Sequence, residues 1–139
     1  MEIAELDDWA INHGFLNTLA ELRKVNLKKI DASRLLKKRS DHIITYVAID
    51  ENKIIGTATL IIEQKFIHGG GKVAHFEDFV VSKKYRNSGI GSKLITHCIN
   101  VAKTEKCYKM ILNCDKNMKS YYKKYGFKKA SVQMRLDLP

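Results

Sequence analysis

The segment Arg86-Asn87-Ser88-Gly89-Ile90-Gly91 lies between a run of strand-forming residues, Val73 to Val81, and an amphipathic stretch from about Ser92 to Thr104. No other feature constrains the fold as tightly. Glycines at a strand-to-helix junction let the backbone turn its free amides toward one point. Together with the helix N-terminus those amides make an anion site. Arg86, with Lys83 and Lys84 upstream, adds the charge that a pyrophosphate would want. The segment has neither the Gly-Lys-Ser/Thr ending of a P-loop nor the spacing of GxGxxG, so the usual signals for ATP and dinucleotides are missing.

The rest of the chain supplies the frame around this turn. Ile11, Phe15, Leu19 and Leu22 recur at helical intervals behind Asp7 and Asp8, predicting a first helix that ends near Lys24. A second helix is expected behind Asp31 as its cap, running to about Arg39 with Leu35 and Leu36 inward. His42 to Ile49 and Ile54 to Ile62 flank the turn formers Asp50-Glu51-Asn52-Lys53 and read as an antiparallel hairpin, with Gly56 marking a bulge or a close approach. Gly69-Gly70-Gly71 is a flexible link. Val73 to Val81 is a strand that carries Glu77 and Asp78 where an unperturbed core would want apolar residues. The helix after the Arg86 turn presents Leu94, Ile95, Cys98, Ile99 and Ala102 on one face. Met110 to Asn113 is expected as a short buried strand, Lys116 to Tyr125 as a last helix stopped by Gly126, and Phe127 to Leu138 as a final strand. With no repeat and no linker, residues 1–139 read as a single α/β domain, a mixed central sheet flanked by helices.

Size and composition narrow the function classes. A chain of 139 residues that is 45% apolar builds one core and is not disordered. No apolar run approaches the roughly 20 residues that span a bilayer, and Met1 to Asp8 is acidic where a signal peptide is basic, so the expectation is a soluble, cytoplasmic protein. Cys98, Cys107 and Cys114 are odd in number and form no CxxC pair, and His68 and His75 have no partner at metal-ligand spacing. No metal is expected. The net charge of +10 points to an anionic partner: nucleic acid, an acidic membrane surface or a polyphosphate-bearing cofactor. Part of the excess sits in two clusters, Arg23, Lys24, Lys28 and Lys29, then Arg34, Lys37, Lys38 and Arg39. No helix-turn-helix, finger or stacking platform accompanies them, so nucleic acid is not the expected partner, and a basic nucleic-acid-binding module is the non-enzyme alternative.

Arg86, Gly89 and Gly91 meet the signature (R/Q)xxGx(G/A), and here the chain resembles the GNAT superfamily of N-acetyltransferases. His75 to Val81, Tyr85 to Gly91, Cys107 to Leu112, Cys114 and Tyr122 to Phe127 are similar to the eukaryotic glucosamine 6-phosphate N-acetyltransferases, as is the upstream arm Ile61 to His68. The likeness covers roughly Ile54 to Met134. It implies transfer of an acetyl group from acetyl-CoA to the amine of glucosamine 6-phosphate, feeding UDP-GlcNAc biosynthesis, in a homodimer with shared active sites. Another small amine or a protein lysine is the alternative acceptor.

The resemblance also assigns residues. The amides of Arg86, Asn87, Ser88, Gly89, Ile90 and Gly91 would hold the coenzyme A pyrophosphate, and backbone groups of Phe79, Val80 and Val81 the pantetheine arm. Glu77 and Asp78 would orient the sugar, with Glu77 taking the proton of the amine; both reach one pocket only if their strand is bulged. Tyr122 stands where the family places the tyrosine that protonates the sulfur, with Tyr121 and Tyr125 as its competitors. Tyr108 and Lys109 would contact the sugar phosphate across a dimer interface, and Lys24, Lys65 and His68 fall near other substrate positions. Two departures bear on the acceptor. Asn113 replaces a carboxylate just before the Cys, and Asp137 stands where a basic residue is usual, with Arg135 on the same strand face as a substitute. Asn117 is one residue out of step with an asparagine of the last helix.

Overall fold

The computed structural model describes residues 1–139. In chain order the elements are β1 (Glu2–Glu5), α1 (Asp8–Ile11), α2 (Phe15–Leu19), α3 (Lys29–Lys38), β2 (Ile43–Asp50), β3 (Lys53–Gln64), α4 (Ile67–Gly70), β4 (Lys72–Val81), α5 (Ile90–Thr104), β5 (Cys107–Ile111) and α6 (Lys119–Lys123), with 3-10 turns at Lys83–Tyr85 and Lys116–Met118. The strands form one sheet in the order β1-β2-β3-β4-β5. Neighbours are antiparallel from β1 to β4, and β4 and β5 are parallel, joined by the α5 crossover. No helix is long and apolar enough to cross a membrane.

Each face of the sheet has its own cover. On one side Leu94, Ile95, Cys98 and Ala102 of α5 pack on Ala58, Leu60, Ala74 and Phe76, the inward face foreseen for this helix. Burying each large side chain of this set contributes about 1.5–3 kcal/mol. On the other side Ala10, Ile11, Phe15 and Ala32 of α1 to α3 close over Val47 and Ile54.

The hairpin forms as expected, with a register shift between Ala48 and Ile49 beside Gly56. A β-carbon on Gly56 would lie 3.1 Å from Leu94 Cδ1, so this glycine marks a close approach of α5 to the sheet.

Five expectations need correction. The first helix is two short ones, because Gly14 takes a left-handed φ of 101° that breaks the helical run; Asp7 does cap α1, accepting from the Ala10 amide at 2.8 Å. Asp31 lies inside the first turn of α3 and does not cap it, and Leu35 is 50% exposed while Ala32 takes the inward position. An N-terminal strand, β1, exists where none was expected; its four residues are too few for a pattern and pair with Glu2 opposite Ile49. The strand after α5 is Cys107–Ile111 and only half-buried, because β5 is the sheet edge. Finally, Phe127 to Leu138 is not a strand within this chain: it pairs with neither edge of the sheet, and Val132, Met134, Leu136 and Leu138 stand 75–88% exposed.

Candidate active site

The site begins with a fault in β4. Thr57 pairs with Val80 and Thr59 with Glu77, so the β4 residues Asp78 and Phe79 together face the single residue Ala58. Asp78 carries the extra length in a left-handed φ of 48°, a conformation that Asp tolerates better than most residues. The bulge inverts the alternation of the strand. Ala74 and Phe76 before it and Phe79 and Val81 after it all reach the α5 side of the sheet. Glu77 is left on the opposite side, in line with Thr59. The bulge required by Glu77 and Asp78 is therefore present, and both line one cleft.

The second determinant is where β4 and β5 separate. Their pairing ends at His75 opposite Ile111, and beyond it Phe76 to Val81 and Leu112 to Asp115 diverge around a cleft of about 570 Å³. α6 closes one wall. Tyr122, 9% exposed, lines the cleft together with Asn113 and Cys114, and burial pushes its phenol up to about 12, with a small contribution from Cys114. Tyr121 packs its ring on Phe79 at 6.4 Å, and its phenol is also raised, first by burial and then by Tyr125.

At the far end stands the Arg86 turn. Gly89 adopts φ 85° and leads into α5. Backbone amides from Asn87 to Ser92 donate to no carbonyl, and the first return bond is Lys93 N–H to Gly89 C=O at 3.1 Å. These donors face outward unpaired, as the first turn of a helix requires. The Arg86 side chain folds back, its Nε donating to the Val81 carbonyl at 3.0 Å.

One residue lining the cleft escaped sequence reasoning. Glu21, just beyond α2, accepts from Ser82 Oγ and from the Lys83 amide, each at 2.9 Å. It thereby ties the segment bearing Leu22 and Arg23, which line the cleft, to the start of the Arg86 turn. The Lys83 amide, then the Ser82 hydroxyl, hold its carboxyl below the usual carboxylate range. The only advance signal was a lone acidic residue next to a basic cluster.

The remaining substrate-side residues are not in the cleft of one chain. His68 stacks against Tyr108 at 4.1 Å, and Lys109 Nζ lies 5.7 Å over the same ring. This group sits against Gly71, about 20 Å along β4 from Glu77 at ~3.3 Å per residue. Lys65 pairs with Glu63 at 3.0 Å and Arg135 with Asp137 at 2.6 Å, while Lys24 is exposed beside Arg23. Asn117 lies in the 3-10 turn before α6, not in the helix itself. Arg39 is not part of a surface cluster, since it turns inward to donate to Thr45 at 3.0 Å.

Comparison with known proteins matches this geometry to a family. Residues 13–127 match the model of the acetyltransferase (GNAT) family. The chain belongs to that family. Within it, the chain is 34% identical over 140 residues to glucosamine 6-phosphate N-acetyltransferase 1 of Dictyostelium discoideum, covering 97% of this chain and 88% of the relative. It is 40% identical over 99 residues to the probable glucosamine 6-phosphate N-acetyltransferase 2 of Oryza sativa subsp. japonica, a match that spans 69% of this chain and 60% of that relative's length. The crystal structure of glucosamine-6-phosphate N-acetyltransferase from Arabidopsis thaliana superposes with a TM-score of 0.94 at 28% identity, covering 99% of this chain and 98% of that one. The GNAT sheet with its bulged β4 and its glycine turn is thus the frame in which every cleft residue above is held.

Proposed function

We propose that this GNAT chain moves an acetyl group from acetyl-CoA to the amine of glucosamine 6-phosphate. The observation that carries the reading is one cleft lined both by Glu77, Asp78 and Tyr122 and by Arg86, Asn87 and Gly91 of a turn whose amides from Asn87 to Ser92 are unpaired. Such a run fits the diphosphate of coenzyme A, and Gly91 has no room for a β-carbon beside Tyr121 and Phe79. The names of the relatives supply the acceptor.

Each residue then has a task. Phe79 and Val80 offer backbone groups at the edge that β5 has left, for the pantetheine arm and for the thioester oxygen as charge grows on it. Glu77, on the acceptor side of the sheet with Leu22 and Arg23, takes the proton that frees the amine lone pair. Asp78 orients the sugar. Tyr122, protonated at working pH, gives its proton to the departing sulfur. Asn113 and Cys114 line the same cleft, so the replacement of a carboxylate at 113 falls in the acceptor region and favours testing a second amine.

The reading extends to a homodimer. The alternating exposed side chains Val132, Met134, Leu136 and Leu138 form an apolar strand face, and β5 is a sheet edge. A second copy supplies the missing neighbour and brings Tyr108, Lys109 and Arg135 toward a shared phosphate site. The product would enter UDP-GlcNAc synthesis in the cytoplasm.

A thiol-release assay with acetyl-CoA tests the proposal, using glucosamine 6-phosphate, unphosphorylated glucosamine and polyamines as acceptors. Release that depends on glucosamine 6-phosphate supports it. Release only with another amine replaces the acceptor, and no release with any amine overturns the activity.

A further inference from the structure

Thr45, Thr59 and Glu77 stand in one register row across β2, β3 and β4: Thr45 is opposite Thr59, and Thr59 is opposite Glu77. Residues directly opposite in antiparallel strands share a face, with β-carbons about 4.5–5.5 Å apart. The row is already wired at one end. Arg39, immediately after α3, donates from Nη1 to Thr45 Oγ1 at 3.0 Å, and Thr45 Oγ1 lies 2.7 Å from Thr59 Oγ1. A guanidinium can only donate, so Thr45 Oγ1 accepts from Arg39, which leaves the Thr45 proton available to Thr59 although either hydroxyl can be the donor between them. With Thr45 as the donor, Thr59 keeps an O–H on the face it shares with Glu77, and no hydrogen bond joins these two side chains in this structure.

Burial makes the arrangement costly to hold without a use. Thr45 is 4% exposed, and Arg39 is desolvated enough that its pKa is lowered. Its Nε is buried with no acceptor. An arginine that serves only to pack need not enter the sheet side with one donor unmet. Neither threonine is needed for apolar packing, since valine has the same shape.

The geometry points to Arg39, Thr45 and Thr59 as positioning residues for Glu77: a train of donors, anchored on a cation and ending on the Thr59 hydroxyl, that orients the carboxylate toward the acceptor amine. This rests on the proposed reading of Glu77 as the group that takes the amine proton.

The test is a double-mutant cycle in the full chain, with Thr59→Val and Glu77→Gln made singly and together, and Thr59→Ser as the conservative variant. Steady-state kcat and the KM of each substrate are measured, with thermal unfolding to check the fold. In the parent background Thr59→Val lowers kcat about tenfold, the size of one hydrogen bond to a charged group, and leaves the KM of acetyl-CoA unchanged. Thr59→Ser recovers kcat to within about twofold of the parent. In the Glu77→Gln background the valine has no further effect. Equal losses in both backgrounds, or a valine variant with the parent's kcat, overturn the inference. Should Thr59→Val not fold, Thr59→Ala is read by the same criteria. A parent that acetylates no amine fails differently, since it removes the reading of Glu77 and this inference with it.

Discussion

Arg86 donates its Nε–H to the carbonyl of Val81, five residues upstream, across a 3.0 Å hydrogen bond. That bond closes the end of β4 onto the turn that follows it, the turn whose amides from Asn87 to Ser92 are unpaired. The Arg86 side chain is thus fixed before any ligand arrives, and such preorganisation lowers the cost of binding.

Gly91 is the tightest point of this cradle. A β-carbon there would fall 2.6 Å from Tyr121 Oη and 3.2 Å from Phe79 Cζ. Gly91→Ala therefore displaces Tyr121, and the KM of acetyl-CoA is expected to rise about tenfold or more. Gly89 differs: nothing lies within 4 Å of its missing β-carbon, so Gly89→Val acts through its φ of 85° and not through a clash. It is expected to cost about 1–3 kcal/mol of stability and to weaken binding of the acyl donor. Isothermal titration with acetyl-CoA checks both, and parent-like affinity in Gly91→Ala contradicts the cradle.

Tyr122→Phe is expected to lower kcat by about 100-fold or more with little change in acetyl-CoA affinity, since only the departing sulfur needs the hydroxyl. The phenol also has a pH signature. Burial raises Tyr122 and Tyr46 from 10.0 to about 12, so between those values the folded chain binds more protons than the unfolded one. Their contribution to stability is whole below pH 10 and is lost as pH rises toward 12. Thermal midpoints measured from pH 9 upward should fall less steeply in Tyr122→Phe than in the parent, about a unit on either side of pH 10 being enough to see the onset.

Glu21→Ala removes the acceptor for the Lys83 amide and the Ser82 hydroxyl together. The expected result is a higher KM for both substrates, because the segment bearing Arg23 and the turn bearing Arg86 lose their link, while Glu21→Gln retains an acceptor and most of the parent's activity. The carboxyl is held below its ordinary 4.5, so the stability it contributes is present above that pH and is lost as pH falls through its folded value. An acid unfolding series in which Glu21→Ala tracks the parent at every pH would remove the latch.

Deleting residues 128–139 is expected to convert a dimer into a monomer, read by sedimentation velocity, and to reduce turnover of the phosphosugar. The removed segment carries Arg135 and the apolar row from Val132 to Leu138. A full-length chain that sediments as a monomer would refute the dimer.

Local signals carried much of this fold. The hairpin arms, the Arg86 turn and the inward face of α5 each follow from residues close in sequence, through periodicity, turn chemistry and backbone freedom, whereas the last helix, expected over Lys116 to Tyr125, is α-helical only from Lys119 to Lys123. Elements whose partner lies far away were misread. Glu2–Glu5 becomes a strand because the edge at Tyr46 to Ile49 receives it, and Phe127 to Leu138 has the alternation of a strand but pairs with no strand of its own chain. Leu35 faces solvent because α3 is rotated by its packing on Ala10, Ile11 and Val47, which helical spacing alone does not fix.

The candidate site divides the same way. Glu77, Asp78 and the glycine turn stood out by residue type and order, and Tyr122 through the family resemblance; the cleft is lined by Glu77, Asp78, Tyr122 and, from the turn, Arg86, Asn87 and Gly91. Tyr108 and Lys109 were expected to act across a dimer interface, and within one chain they lie with His68 far along β4 from Glu77. Glu21 had only the weak signal of an acidic residue beside a basic cluster, and nothing in the sequence linked Arg39, Thr45 and Thr59 to Glu77.

The amino-acid sequence by itself determined that this chain carries a glycine-rich anion turn between a strand and a helix, and a strand that must break its alternation to use two adjacent carboxylates. Only the tertiary structure decided which side of the sheet Glu77 occupies, what stands opposite it, and where β4 and β5 part. Register is set by pairing energies between residues far apart in the chain, and a slip of one position would send every side chain to the other face.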